Sequence, residues 1–256
     1  MGNFIKKLIA VLSYLVLPVL CYEQAVFVAA ALLQAVSLMS GNRFLLDNLP
    51  LLNTGAAALF SGLILGLVYL HLKKKQGPPS VKCPVSPCRY LYAALFGIFG
   101  AVFFNLLLEF SRLPELFPAV KTLENTAPEV NYVLTFLIIC LLGPAIEELV
   151  FRGFGYLYLR TSLSLPAATL LSAAAFGIFH GNIPQTLYGF CMGLLLAHTA
   201  EHYKTLSSVL LFHICANLTS FFFLGDLARE SLLLSLPVLG LSGIGCVWLF
   251  YKIRDL

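Results

Sequence analysis

The chain has 256 residues, of which 59% are hydrophobic and only 11% charged, with a mean hydropathy of +0.90. Soluble domains average about 25% charged residues, so the composition excludes an ordinary soluble protein and points to a membrane protein. The formal net charge of +4 fits a basic rim against anionic lipid rather than a nucleic-acid surface.

A helical membrane span needs roughly 20 apolar residues. Runs of this kind cover residues 8–22, 24–40, 51–72, 91–110, 131–151, 165–180, 183–200, 206–224 and 231–251. The expected fold class is all-α: a polytopic membrane helical bundle, with about eight transmembrane helices around a buried polar site. The polar segments 73–90 and 112–130 are too short to fold alone. Residues 1–256 are therefore expected to form a single integral membrane domain. Within it, 1–125 are N-terminal spans without distinctive motifs and 130–225 are the motif core.

The chain opens like a signal peptide, with Lys6 and Lys7 before an apolar run. No small-residue cleavage site follows, and Leu20 stands where a lipoprotein signal ending at Cys21 needs a small residue. Residues 3–22 are expected to be retained. Lys73, Lys74, Lys75, Lys82 and Arg89 place the loop 73–90 on the cytoplasmic side, and Lys252 with Arg254 agree. Lys6 and Lys7 agree as well if the first two apolar runs make one crossing, which predicts an N-terminal re-entrant or interfacial piece. The cysteines are scattered, and the Cys83/Cys88 spacing fits neither a redox pair nor a zinc knuckle.

The next span carries charge. Gly143-Pro144-Ala145-Ile146-Glu147-Glu148-Leu149-Val150-Phe151-Arg152 follows ten residues, Val133 to Leu142, that hold none. Ionised groups in hydrocarbon cost several kcal/mol unless paired or hydrated, so they are functional suspects by default. On an α-helix Glu148 and Arg152, at i and i+4, can pair. Glu147 and Arg152, at i and i+5, fall on different faces, which leaves Glu147 without a local partner and marks it for chemistry.

Two further apolar runs carry polar groups. Ala173-Ala174-Ala175-Phe176-Gly177 leads to His180, with small residues that let a neighbouring helix approach. His213 and Asn217 lie one turn apart in the run that follows. Three helices with polar groups in hydrocarbon suggest a pocket that holds water or a polar substrate.

Glu147-Glu148-x-x-x-Arg152, Phe176-x-x-x-His180 and His213-x-x-x-Asn217 resemble, in order and spacing, the three motifs of the CAAX prenyl protease type II and bacteriocin-processing (CPBP, or Abi) family. The resemblance spans about residues 130–225 and includes Phe151-Arg152-Gly153 and the Gly189/Gly193 helix ending near Glu201. It implies an intramembrane endopeptidase in which Glu147 and His180 activate water, His213 and Asn217 stabilise the oxyanion, and Glu148 and Arg152 support them. The implied substrate is a prenylated protein C-terminus or a peptide precursor. The implied setting is the lipid of the cell membrane, with no nucleic acid. That chemistry needs a base for water and donors aimed at the developing oxyanion.

Two metal readings compete with this one. His198-Thr199-Ala200-Glu201-His202 has the inverted zinc-protease pattern, but the only downstream Glu that could complete it is Glu230, in an expected loop. It is read as an interfacial helix end. Glu147, His180 and His213 would together make a His₂Glu zinc set. A metal-free glutamate site is preferred, because few partners for a second imidazole nitrogen lie nearby in sequence: Asn182 beside His180 and Asn217 beside His213. Two other functions stay open. One is a catalytically idle membrane scaffold, regulator or bacteriocin self-immunity protein of the same family. The other is a transporter relaying protons through its buried carboxylate.

Overall fold

The computed structural model describes residues 2–76, 86–117, 131–230 and 232–255, and all regular structure among them is helical. Cys83 and Lys82 lie outside the described residues. In chain order the helices are α1 (Gly2–Ser40), α2 (Arg43–Asp47), α3 (Leu49–Gln76), α4 (Pro87–Phe110) and α5 (Tyr132–Thr161). They continue as α6 (Leu165–Phe179), α7 (Ile183–Tyr203), α8 (Leu206–Glu230) and α9 (Leu232–Arg254).

The protein is an integral membrane protein. Among the described residues, five helices are long and apolar enough to cross a membrane: α1, α3, α4, α5 and the Ser235–Arg254 part of α9. Leu165–Phe179 and Leu206–Phe221 are shorter apolar helices. Helix α7 has 21 residues, diluted by Gln185, His198, Glu201 and His202. These are the eight or so helices that hydropathy suggests.

The described residues fall into two compact units, residues 1–79 with 126–163 and residues 80–125 with 164–256. Unit 1 holds α1, α2, α3 and α5. Unit 2 holds α4, α6, α7, α8 and α9.

In unit 1 the N-terminal runs 8–22 and 24–40, expected to make one crossing together, form one 39-residue helix with no re-entrant break between them. At 1.5 Å per residue it is about 58 Å long, roughly twice the ~30 Å hydrocarbon core. Pro18 would ordinarily break it by removing a backbone donor. The turn before it, Leu12–Val16, is wound as a π-helix and absorbs the defect. Helix α5 repeats the device, with Phe136–Leu142 π-wound ahead of Pro144 and Leu149–Tyr158 π-wound beyond. Gly155 lets α5 meet α1, since a Cβ there would stand 2.8 Å from Leu15 Cδ1. A layer of rings closes this packing: Tyr14 stacks on Tyr158 at 5.2 Å, and Tyr69 meets Phe154 edge-on at 5.6 Å.

In unit 2 small residues set the helix contacts, as close packing in a bilayer requires. A Cβ on Gly193 would lie 2.9 Å from Ala173 Cα, and one on Gly177 would lie 2.5 Å from the Thr186 carbonyl oxygen, so α6 and α7 touch backbone to backbone. Gly97 of α4 sits against the Phe212 carbonyl of α8 in the same way. The residue after Phe212 is His213.

Candidate active site

Unit 1 places Glu147, Glu148 and Arg152 on α5. Arg152 is fully buried and donates from Nη1 to Glu148 Oε1 at 3.0 Å, the i,i+4 pair expected from spacing. Such a pair tolerates burial because each charge compensates the other, and removing one partner strands its mate.

The expectation that Glu147 stands without a local partner is corrected here. Arg152 feels the charge of Glu147 as well as that of Glu148. Glu147 and Glu148 end the α-helical turn Gly143–Glu148, and the π-wound stretch Leu149–Tyr158 that holds Arg152 begins directly after them. Glu147 is half-buried. Tyr22 of α1, only 2% exposed, lies within electrostatic range of it. A Cβ on Gly143 would stand 3.1 Å from the Ile138 carbonyl oxygen, so the turn that leads to the carboxylates is closely packed.

Unit 2 places His180, His213 and Asn217. His180 is the residue that caps α6, and its Nδ1 lies 2.8 Å from the Phe176 carbonyl oxygen. A carbonyl only accepts, so Nδ1 carries the hydrogen. In the neutral ring, Nε2 is then the nitrogen with a lone pair. His213 is 5% exposed on α8, with the half-buried Asn217 one turn further on. The Phe176 ring meets both imidazoles at right angles, His180 at 5.0 Å and His213 at 5.6 Å. Edge-to-face contacts of this kind hold a ring's orientation. Gly189 of α7 backs His180 closely: a Cβ there would stand 3.3 Å from Nδ1.

Several of these supports are invisible in the motifs. The partner of His180's second nitrogen is the carbonyl one turn back, not Asn182, whose side chain binds Gln185 at 2.6 Å. The argument against zinc from missing imidazole partners therefore fails at His180. Unit 2 also holds a polar chain in its apolar interior: Asn105 donates to Ser220 Oγ at 3.1 Å, and the Tyr188 hydroxyl is 3.3 Å from the same oxygen. An amide in the middle of the apolar run 91–110 was the available signal for it.

The inverted zinc-protease pattern is used for packing. His198 lies flat on Phe250 at 3.9 Å, with Nε2 2.9 Å from that residue's carbonyl. Glu201 pairs with Lys204 at 3.2 Å. His198, Glu201 and His202 do not form a metal-ligand cluster. Glu230 ends α8 rather than lying in a loop.

Comparison with known proteins bears on the stretch that carries all six residues. Neither the curated proteins nor the solved structures compared with the chain give a match. One family model does match, over residues 129–219, and its description is Type II CAAX prenyl endopeptidase Rce1-like. The match covers the segment that holds Glu147, Glu148, Arg152, His180, His213 and Asn217, in agreement with the resemblance its motifs carry.

Proposed function

We propose that the protein is an intramembrane endopeptidase of the CAAX type, seated in the cell membrane, that cleaves a prenylated protein C-terminus or a peptide precursor. Glu147 takes the proton from the attacking water, and His180 orients that water through Nε2. His213 and Asn217 donate to the oxyanion, where loss of one donor typically costs about 10²–10³ in turnover. Glu148 and Arg152 hold the α5 backbone and the charge balance around Glu147.

The observation that carries this reading is the His180 Nδ1–H to Phe176 carbonyl hydrogen bond at 2.8 Å. It leaves Nε2 as the ring nitrogen available for chemistry. The same bond also suits a metal ligand, because ligating imidazoles usually give their other N–H to a carbonyl or carboxylate. If the reaction uses zinc, Glu147, His180 and His213 would hold it, and it would supply a more acidic water. The metal-free reading is retained because it gives every motif residue a role.

The test uses the purified protein in lipid nanodiscs with two peptides of one sequence, one farnesylated on its cysteine and one bare, products being read by mass spectrometry. Cleavage of the farnesylated peptide alone supports a prenylated substrate, and cleavage of both supports a precursor peptide. If neither is cut by protein of intact helicity, the scaffold reading replaces this one. Metal analysis of active protein, with activity after exhaustive chelation, separates the two mechanisms. Near-stoichiometric zinc, with activity lost on chelation and restored by zinc, overturns the metal-free choice.

A further inference from the structure

Helices α4 and α8 of unit 2 lie side by side and run in the same direction, and three contacts fix their register. Near the start of both, the Tyr90 hydroxyl is 2.8 Å from Ser207 Oγ. Further along, Gly97 sits against the Phe212 carbonyl, a contact that leaves no room for a side chain. Further still, Asn105 donates from Nδ2 to Ser220 Oγ at 3.1 Å. Gly97 to Asn105 and Phe212 to Ser220 are both eight residues, about 12 Å of helix. The two helices are thus matched over this length and pinned at each end of it.

Between the pins stands the polar pair of α8. His213 follows Phe212 directly, and Asn217 precedes Ser220 by three residues. An α-helix of 3.6 residues per turn sets His213, Asn217 and Ser220 within an arc of about 60°. A bond to Ser220 therefore acts on the face that carries the other two.

The far pin is the directional one. Asn105 Nδ2 has two hydrogens; one goes to the Ala101 carbonyl on its own helix at 2.8 Å, the other to Ser220. Two acceptors thus orient the amide. The Tyr188 hydroxyl of α7 lies 3.3 Å from the same Ser220 oxygen, and the next residue, Gly189, backs His180. Interhelical hydrogen bonds add little to the stability of a membrane bundle, so this one matters for where it holds α8. Rotating the helix by about 10° would carry side-chain atoms ~5–6 Å from its axis by about 1 Å. A misplacement of that size can cost about 10²-fold in rate.

We infer that Asn105 is a positioning residue: through Ser220 it sets the rotation of α8, and so the aim of His213 and Asn217 at the reacting centre. The inference rests on the protease reading above. It extends the working unit to α4, which lies before the matched residues 129–219.

The test uses full-length protein in nanodiscs with the peptide that wild type cleaves. Asn105→Leu keeps a side chain of similar size and removes the bond. Its kcat should fall at least tenfold, with KM within twofold of wild type and the melting temperature nearly unchanged. Ser220→Ala should do the same, and the two changes together should cost no more than the larger alone, as for two halves of one bond. Unchanged kcat in Asn105→Leu, a fall that tracks lost melting temperature, or additive losses overturn the inference. A second readout does not depend on cleavage. In protein labelled with nitrogen-15 histidine, the His213 ring signal, identified by its absence from His213→Gln, should shift in Asn105→Leu while those of His71 and His202 stay. An unmoved His213 signal overturns the inference even where wild type cuts neither peptide, a result that by itself counts against the protease reading.

Discussion

Glu148 and Arg152 are the residues whose roles follow most directly from spacing, and their contact at full burial makes a sharp expectation. Glu148→Gln or Arg152→Gln should each destabilise the protein by about 3–5 kcal/mol, because each strands a buried charge. Glu147→Gln, at a half-buried position, should leave the melting temperature in detergent nearly unchanged. A comparable loss at all three positions would mean that Glu147 is structural. His198→Ala with His202→Ala should leave cleavage within a few-fold of wild type, since His198 is held by Phe250 rather than by a metal site. Complete loss with normal expression would promote the inverted zinc-protease pattern. The six candidate residues stand out in the sequence because charged and imidazole groups are conspicuous in apolar runs. Their immediate supports do not. The Phe176 carbonyl is a backbone group and leaves no mark on composition, and a fixed 3.6-residue period does not anticipate the π-wound turns of α5.

Helix α1 shows the same limit in a longer element. Hydropathy sees two runs because Glu23 and Gln24 interrupt them, yet one helix carries both, with a π-wound turn ahead of Pro18. Helix α5 uses the same turn ahead of Pro144, so the widened winding around the carboxylates begins with a proline the sequence displays and ends in a geometry it does not. The small residues were easier to read. Ala173 and Gly177 were expected to admit a neighbouring helix, and α7 comes within backbone contact of both. Gly193→Leu should therefore push α6 from α7, costing about 1–3 kcal/mol or more through overpacking. It should lower folded yield in proportion, measured as monodisperse protein recovered in detergent. Unchanged yield would contradict the close approach of these two helices.

For the whole molecule, composition points to a helical membrane protein, and the two N-terminal runs that charge counting joins into one crossing lie on one helix. Orientation rests on Lys and Arg. With both chain ends and the loop 73–90 cytoplasmic, cysteines introduced at positions 5, 78 and 253 should all resist a membrane-impermeant thiol reagent in intact cells and react after permeabilisation. Labelling of position 78 from outside would invert the scheme. A working protease with Glu147 as its base is tested by the cleavage rate of the farnesylated or bare peptide by Glu147→Gln beside wild type, in the same nanodiscs and at matched melting temperature. General-base catalysis contributes about 10²–10⁴-fold, so the variant should fall by at least ~10²-fold. Cleavage by Glu147→Gln within a few-fold of wild type would contradict the claim.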